Sequence, residues 1–229
     1  MIVAIDGPAG SGKSTVARAM ASREGLTYLD TGAMYRAVTD AALTRGIDVT
    51  NSAAVADLAN RIEISLENGP EGPVVIVDGA DRTKAIRTPE VDENVSAVAA
   101  VPEVRAAMVE LQRASSKNAD VVAEGRDIGT VVFPEAEVKI FLTADPSARA
   151  RRRAVQRHGG DTAKDSNAVA DSAEAAAIEA ELIARDKADS TRKTAPLKPA
   201  EDAVHIDSTG LTVDEVCDQI SALISKARA

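Results

Sequence analysis

Apolar and polar positions along the chain alternate between two periods, and the order of those periods predicts the architecture. Residues 2–5, Ile-Val-Ala-Ile, form a short, partly β-branched apolar run of the kind buried on both faces of a parallel sheet. The run stops at Asp6, a Gly-rich segment follows, and residues 15–21 have the composition and spacing of a helix. Residues 26–29 predict a second strand, residues 33–44 a helix stopped by Gly46, and residues 52–61 another helix. Residues 62–66 then alternate with period two, residues 68–73 are dense in turn chemistry, and residues 74–77 are again strand-like. An antiparallel hairpin is thereby predicted inside a βα pattern, which marks an insertion at 62–100 into a core made of 1–61 and 101–229. Pro89 and Pro102 sit where helices begin. Apolar runs at 120–123, 138–142 and 203–206 complete a predicted five-stranded parallel sheet. Thr212 and Glu215 form a capping box, and Val213, Val216, Ile220, Leu223 and Ile224 give the last helix one apolar face. Residues 158–172 are polar without apolar period and predict a mobile loop.

Composition narrows the function. Hydrophobic residues at 45% and charged residues at 28% are ordinary for a globular protein. The net charge of −9 argues against a sequence-independent nucleic-acid binder, because such binding rests on Lys and Arg meeting phosphates. Four aromatic residues, Tyr28, Tyr35, Phe133 and Phe141, offer little stacking platform for single strands. The single cysteine, Cys217, excludes an intramolecular disulfide and reads as a packed core residue. No apolar run is long enough to span a membrane, and the first strand starts at once, so a cytoplasmic protein without a signal peptide is expected.

The strongest chemical signal lies between the first strand and the first helix. Gly7 to Ser14 spell G-x-x-x-x-G-K-S, whose residues Gly7, Pro8, Ala9, Gly10, Ser11, Gly12, Lys13, Ser14 and Thr15 predict a loop that cradles a polyphosphate with main-chain amides. Lys13 brings a point charge to the β- and γ-phosphates, and Ser14 is placed to ligate Mg²⁺. An ATPase, a GTPase and a kinase all satisfy this motif. Asp186-Lys187-Ala188-Asp189 is similar to the guanine-selecting N-K-x-D, but it begins with Asp and follows a helix, which excludes that reading.

Arg36 and Arg126 each follow a predicted strand, where ligands of open α/β sheets bind, so both are expected to converge on the site that Lys13 marks. Arg149, Arg151, Arg152, Arg153 and Arg157 are expected mostly to solvate a helix surface, with one or two touching phosphate. Glu124 and Asp127 flank Arg126, and three roles stay open for them: holding Mg²⁺ through water, accepting a base amino group, or bracing Arg126. His158 reads as solvated and His205 as a core residue of a strand.

Four separated blocks then carry a family resemblance. Residues 6–14 (DGPAGSGKS), 29–36 (LDTGAMYR), 125–134 (GRDIGTVVFP), and the run from Arg185-Asp186 through Asp189-Ser190-x-Arg192 to Ala195-Pro196-Leu197 closely resemble bacterial cytidylate kinases. The resemblance implies an α/β P-loop three-layer fold with a five-stranded parallel core, an inserted monophosphate-binding subdomain at 62–100 and a short lid at 150–166. It implies transfer of the γ-phosphoryl of ATP, with Mg²⁺, to CMP or dCMP; a monomer is expected. It also implies that Thr31, Arg36, Ser96, Arg105, Arg126, Asp127, Arg185, Asp189 and Arg192 line the CMP site, with Lys13, Arg126 and Arg185 catalytic. Cytosine offers an N4 donor and N3 and O2 acceptors, to which a carboxylate such as Asp127 and donors such as Ser96 and Arg105 are suited. Two other classes satisfy the phosphate loop: a kinase for a different small acceptor, and a nucleotide-dependent switch that binds ATP without turnover.

Overall fold

Strands buried on both faces have no solvent side to alternate toward, and the first strand illustrates this: Val3, Ala4 and Ile5 are fully buried in succession. The computed structural model describes residues 1–69, 72–158, 160 and 172–229. The elements run β1 (Ile2–Asp6), α1 (Lys13–Glu24), β2 (Thr27–Asp30), α2 (Thr31–Thr44), α3 (Ser52–Arg61), β3 (Ile64–Gly69), β4 (Gly72–Val77), β5 (Ala80–Asp81), α4 (Pro89–Ala99), α5 (Pro102–Ser115), β6 (Val121–Gly125), β7 (Val138–Thr143), α6 (Pro146–Arg157), α7 (Ser172–Thr191), β8 (Val204–Asp207) and α8 (Val213–Arg228). Short 3₁₀ and π turns occupy Ala85–Arg87 and Ile128–Val132.

Five strands form a sheet in the order β2-β6-β1-β7-β8, with β1 central. β1 pairs in parallel with β6 and β7, placing Asp6 beside Gly125 on one side and Phe141 on the other. These are the five strands that the apolar runs predict. A separate three-stranded sheet, β3-β4-β5, is antiparallel, and β5 is an element that the sequence pattern did not suggest. Its chain reversal runs through Asp78 and Gly79, both at positive φ. The turn residues Pro70 and Glu71 of the predicted hairpin lie outside the described residues.

The chain divides into two compact units, one made of residues 1–28 and 118–229, the other of residues 29–117. The second unit takes in α2, α3 and α5 as well as the hairpin expected within 62–100. In the first unit, α1 and α8 bury their apolar faces on the sheet: Val16, Ala17, Met20, Val216, Cys217, Ile220 and Ile224 pack with Val3, Ile5, Val122, Ile140 and Leu142. Cys217 is a core residue, as expected, and burial pushes its thiol pKa up. The capping box of α8 is formed, with Thr212 Oγ1 accepting from the Glu215 amide at 3.2 Å and Glu215 Oε2 accepting from the Thr212 amide at 2.8 Å.

Two expectations change. His205 is exposed rather than buried, because β8 is an edge strand of the sheet, and its ring meets Phe141 at a centroid distance of 5.5 Å. Asp186 to Asp189 lie inside α7 rather than after a helix. The polar stretch 158–172 is bounded by α6 and α7; of the lid expected at 150–166, residues 159 and 161–166 lie outside the described residues. Among the described residues no helix is long and apolar enough to cross a membrane.

Ile220 is fully buried at the contact of α8 with the sheet, so truncation leaves a cavity as well as lost transfer energy. Ile220→Ala is expected to destabilise the protein by about 3 kcal/mol, read as a lower urea midpoint with an unchanged slope.

Candidate active site

The loop between β1 and α1 has its carbonyl side held by side chains. Lys13 Nζ donates to the Pro8 carbonyl at 2.6 Å, Arg149 Nη1 to the Ala9 carbonyl at 3.0 Å, and Ser208 Oγ to the Ser11 carbonyl at 3.1 Å. The Gly12 carbonyl accepts from the Val16 amide at 3.0 Å, the first turn of α1. With the carbonyls so engaged, the loop presents its amide side and the N-terminus of α1 to an anion. Gly7 has φ +152°, and a Cβ there would lie 2.1 Å from the Leu142 carbonyl oxygen of β7. Gly10 has φ +76° and lies against the Arg149 backbone and Cβ.

Of the arginines between 149 and 157, two face inward. Arg149 is 5% exposed and forms an ion pair with Asp186 on α7, whose other oxygen accepts from the Ala9 amide at 3.3 Å. The Ala9 peptide is thus gripped at both its N–H and its carbonyl, and the Ala9 methyl packs on Ala150, Ala154, Ile178 and Leu182 between α6 and α7. Arg152 donates to the Ser208 carbonyl at 2.6 Å and to Ser208 Oγ at 3.0 Å. The surface-solvating role expected of this cluster holds for Arg151 and Arg157, which are exposed, but not for Arg149 and Arg152. The reason is the crossing of α6 over the loop, which sequence spacing does not reveal. Beside Gly12 and Thr15 opens a cleft of about 690 Å³ lined by Arg151, Arg152, Val155 and the segment between β8 and α8.

Lys13 is 5% exposed, and burial, then the nearby Arg126 guanidinium, lower its ammonium pKa to about 7. Glu124 acts in the opposite direction on Lys13 and accepts from the Tyr28 hydroxyl at 2.7 Å. Arg126 Nε donates to Asp189 Oδ2 at 2.9 Å, so its described brace comes from α7, 63 residues away, rather than from the carboxylates flanking it in sequence. Arg192 stands 3.9 Å from both Asp127 and Asp189 and donates to the Ala195 carbonyl at 2.7 Å. Arg185 is half-buried on the same helix. The first unit therefore brings together Lys13, Arg126, Asp127, Asp189 and Arg192.

The second unit contains Thr31, Arg36, Ser96 and Arg105. Asp30 caps α2 through the Ala33 amide at 2.9 Å and pairs with Arg36 at 2.8 Å, while Thr31 is buried in the first turn. Arg105, 3% exposed, donates to the Ala99 carbonyl at 3.1 Å and lies 5.2 Å from the Tyr35 ring centroid. Ser96 is half-buried on α4.

Sequence reasoning gave Asp6 and Asp186 no role, and did not choose Arg149 from among the arginines at 149–157. Asp6 accepts from the amides of Ile128 and Gly129, both at 2.8 Å, and burial raises its pKa to about 6. A carboxylate directly before a phosphate loop, at the end of an otherwise apolar run, was the available signal.

The chain is similar to known proteins. The family model for cytidylate kinase matches residues 3–226. The cytidylate kinase of Streptomyces avermitilis is 48% identical over 100% of this chain and 94% of its own length. That of Limosilactobacillus reuteri is 48% identical over 99% of this chain and 96% of its own. A crystal structure of an uncharacterized protein from Eubacterium ventriosum, 13% identical, shares the fold with a TM-score of 0.50 over 99% of this chain and 98% of that one.

Two measurements check the loop. Gly7→Ala, which has no room for its Cβ, is expected to abolish ADP binding in calorimetric titration. Lys13 supplies a pH test. With its folded pKa near 7, below the ordinary 10.5, the unfolded chain holds a proton that the native state lacks between those values, so this residue makes stability rise with pH there. A bound phosphate restores the charge. At pH 8, ADP binding is therefore expected to take up about one proton more in the wild type than in Lys13→Met, a difference that vanishes at pH 6, read by calorimetry in buffers of different ionisation enthalpy.

Proposed function

The chain belongs to the cytidylate kinase family, a nucleoside monophosphate kinase acting on CMP, and on that premise we propose the finer chemistry: ATP as phosphoryl donor, dCMP as a second acceptor, and in-line transfer between them. The observation that carries the proposal is the nearness of two differently built anion grips in one unit. Lys13 and the loop amides suit a polyphosphate tail, and Arg126, close enough to depress the Lys13 pKa, suits the phosphate of an acceptor.

In this proposal the triphosphate lies on the loop from Gly7 to Thr15, and the adenosine occupies the cleft beside Arg152 and the segment after β8. Thr31, Arg36, Ser96, Arg105, Arg126, Asp127, Arg185, Asp189 and Arg192 are assigned to CMP by the family resemblance. Asp127 accepts from the cytosine amino group, and Ser96 and Arg105 donate to its acceptors. Lys13, Arg126 and Arg185 neutralise charge on the phosphoryl group as it passes, the main task of a protein in this reaction. The enzyme would act as a cytoplasmic monomer.

The residues fit a magnesium ion of the kind bound chiefly by phosphates. Among the described residues no group of three or more His, Cys, Asp or Glu could form a protein cage, while the Ser14 hydroxyl at the start of α1 offers one hard oxygen. When bound, Mg²⁺ would supply charge neutralisation to the transferring phosphates. The side chains do the rest: Lys13 holds the donor, and Asp189 orients Arg126 through the 2.9 Å bond.

An assay of ADP release over a panel of acceptors tests the proposal. CMP and dCMP are expected to turn over, and UMP on the order of 10²-fold or more slower, because uracil leaves buried polar groups unpaired. Comparable rates with CMP, UMP and AMP would overturn the base assignment, and ATP binding without acceptor-dependent turnover would favour a switch.

A further inference from the structure

We propose that Asp6 is a positioning residue for phosphoryl transfer, fixing the turn that follows Arg126 and Asp127 against the root of the phosphate loop. The proposal rests on the CMP kinase reading above for its consequence, and on Asp6's own contacts for its geometry.

Asp6 is the last residue of the central strand β1, and Gly7 begins the loop. Its main chain is registered against Gly125 of β6 and Phe141 of β7. Its carboxylate is 4% exposed and has both oxygens engaged: Oδ1 accepts from the Ile128 amide and Oδ2 from the Gly129 amide, each at 2.8 Å. Those amides open the π turn Ile128–Val132, where the first N–H groups have no partner within the turn itself.

The residue at the cap position of that turn is Asp127, and its side chain makes no capping hydrogen bond. A short acid there would ordinarily bond the following amides. Asp6, arriving from the neighbouring strand, takes them instead, and the Asp127 carboxylate stays directed to Arg192, 3.9 Å away.

The turn is held from behind as well. A Cβ added to Gly129 would lie 3.2 Å from Cδ of Lys139 and 3.5 Å from Oδ2 of Asp6, and the Lys139 ammonium is tied to Asp202 at 2.7 Å. One side chain thus joins the strand end that launches the donor loop to the turn that follows Arg126 and Asp127. An asparagine would serve one of the two amides and point its own N–H₂ at the other, so the turn would lose its register without losing its place in the fold. Displacement of reacting groups by about 1 Å costs on the order of 10²-fold in rate.

The test uses the full chain with Asp6→Asn and Asp6→Glu, which keeps the charge but pushes the turn outward by one methylene. ADP and CMP affinities are measured separately by calorimetry, turnover by the acceptor assay, and folding by circular dichroism. Asp6→Asn is expected to hold both affinities within about threefold while kcat falls on the order of 10²-fold, with KM for CMP nearly unchanged. Hydrogen exchange at the Ile128 and Gly129 amides rises in the same variant. Unchanged kcat in Asp6→Asn overturns the proposal, as does a parallel fall of both affinities, kcat and melting temperature, which marks a purely structural residue. Should Asp6→Asn fail to fold, Asp6→Glu decides: a loss of kcat of at least about tenfold with ADP binding retained supports positioning, and wild-type kcat overturns it. If the wild type turns over another acceptor instead of CMP, the CMP reading fails, and the same comparison on that acceptor still decides the role of Asp6.

Discussion

A loop that binds phosphate through its amides cannot spend those amides on its own folding, so something outside the loop has to hold it. Here the support comes mainly through the carbonyls, with the Ala9 amide also taken by Asp186. Lys13, Arg149 and Ser208 take the carbonyls of Pro8, Ala9 and Ser11, and they belong to α1, α6 and the segment after β8. Gly7 presses its Cα side against the Leu142 carbonyl of β7 with no space for a side chain. The loop is therefore a joint of several elements rather than an autonomous turn, and its shape is inherited from the packing of the whole first unit.

The second constraint is charge. Arg126, Arg149 and Arg192 are largely withdrawn from water, and each is accompanied by an acid: Asp189, Asp186, and Asp127 with Asp189. Removing such cations from solvent is costly unless they are paired. The positions of Asp186, Asp189 and Arg192 follow from α7 and its end, so one helix sets the spacing between the loop brace at Ala9 and the arginines Arg126 and Arg192. In the second unit, Asp30 does comparable work for Arg36 while capping α2. A protein with net charge −9 can thus present arginine to a phosphate, because its acids orient the guanidinium groups rather than merely surround them.

Much of this was legible without coordinates. The five strands of the parallel sheet, the hairpin, the capping box at Thr212 and the burial of Cys217 follow from local patterns whose physics is short-ranged. The loop and Lys13 followed from a motif whose flanks, strand before and helix after, are also local. His205 was misplaced because an apolar strand looks the same in the centre of a sheet and at its edge; strand order decides its exposure. Which one or two of the arginines between 149 and 157 turn inward stayed open, because a helix wheel says which residues share a face but not what that face meets.

The amino-acid sequence by itself determined the five strands of the parallel sheet, most of the helices and, through four short blocks, the cytidylate kinase family to which the chain belongs, since these depend on residue identity over short spans. Tertiary structure alone decided which acid serves which donor. Asp6 meets Ile128 and Gly129, and Asp189 meets Arg126, across 122, 123 and 63 residues of chain. Such pairings are chosen by how strands order and helices cross, and a carboxylate carries no mark in the sequence of the amide or guanidinium that folding will bring to it.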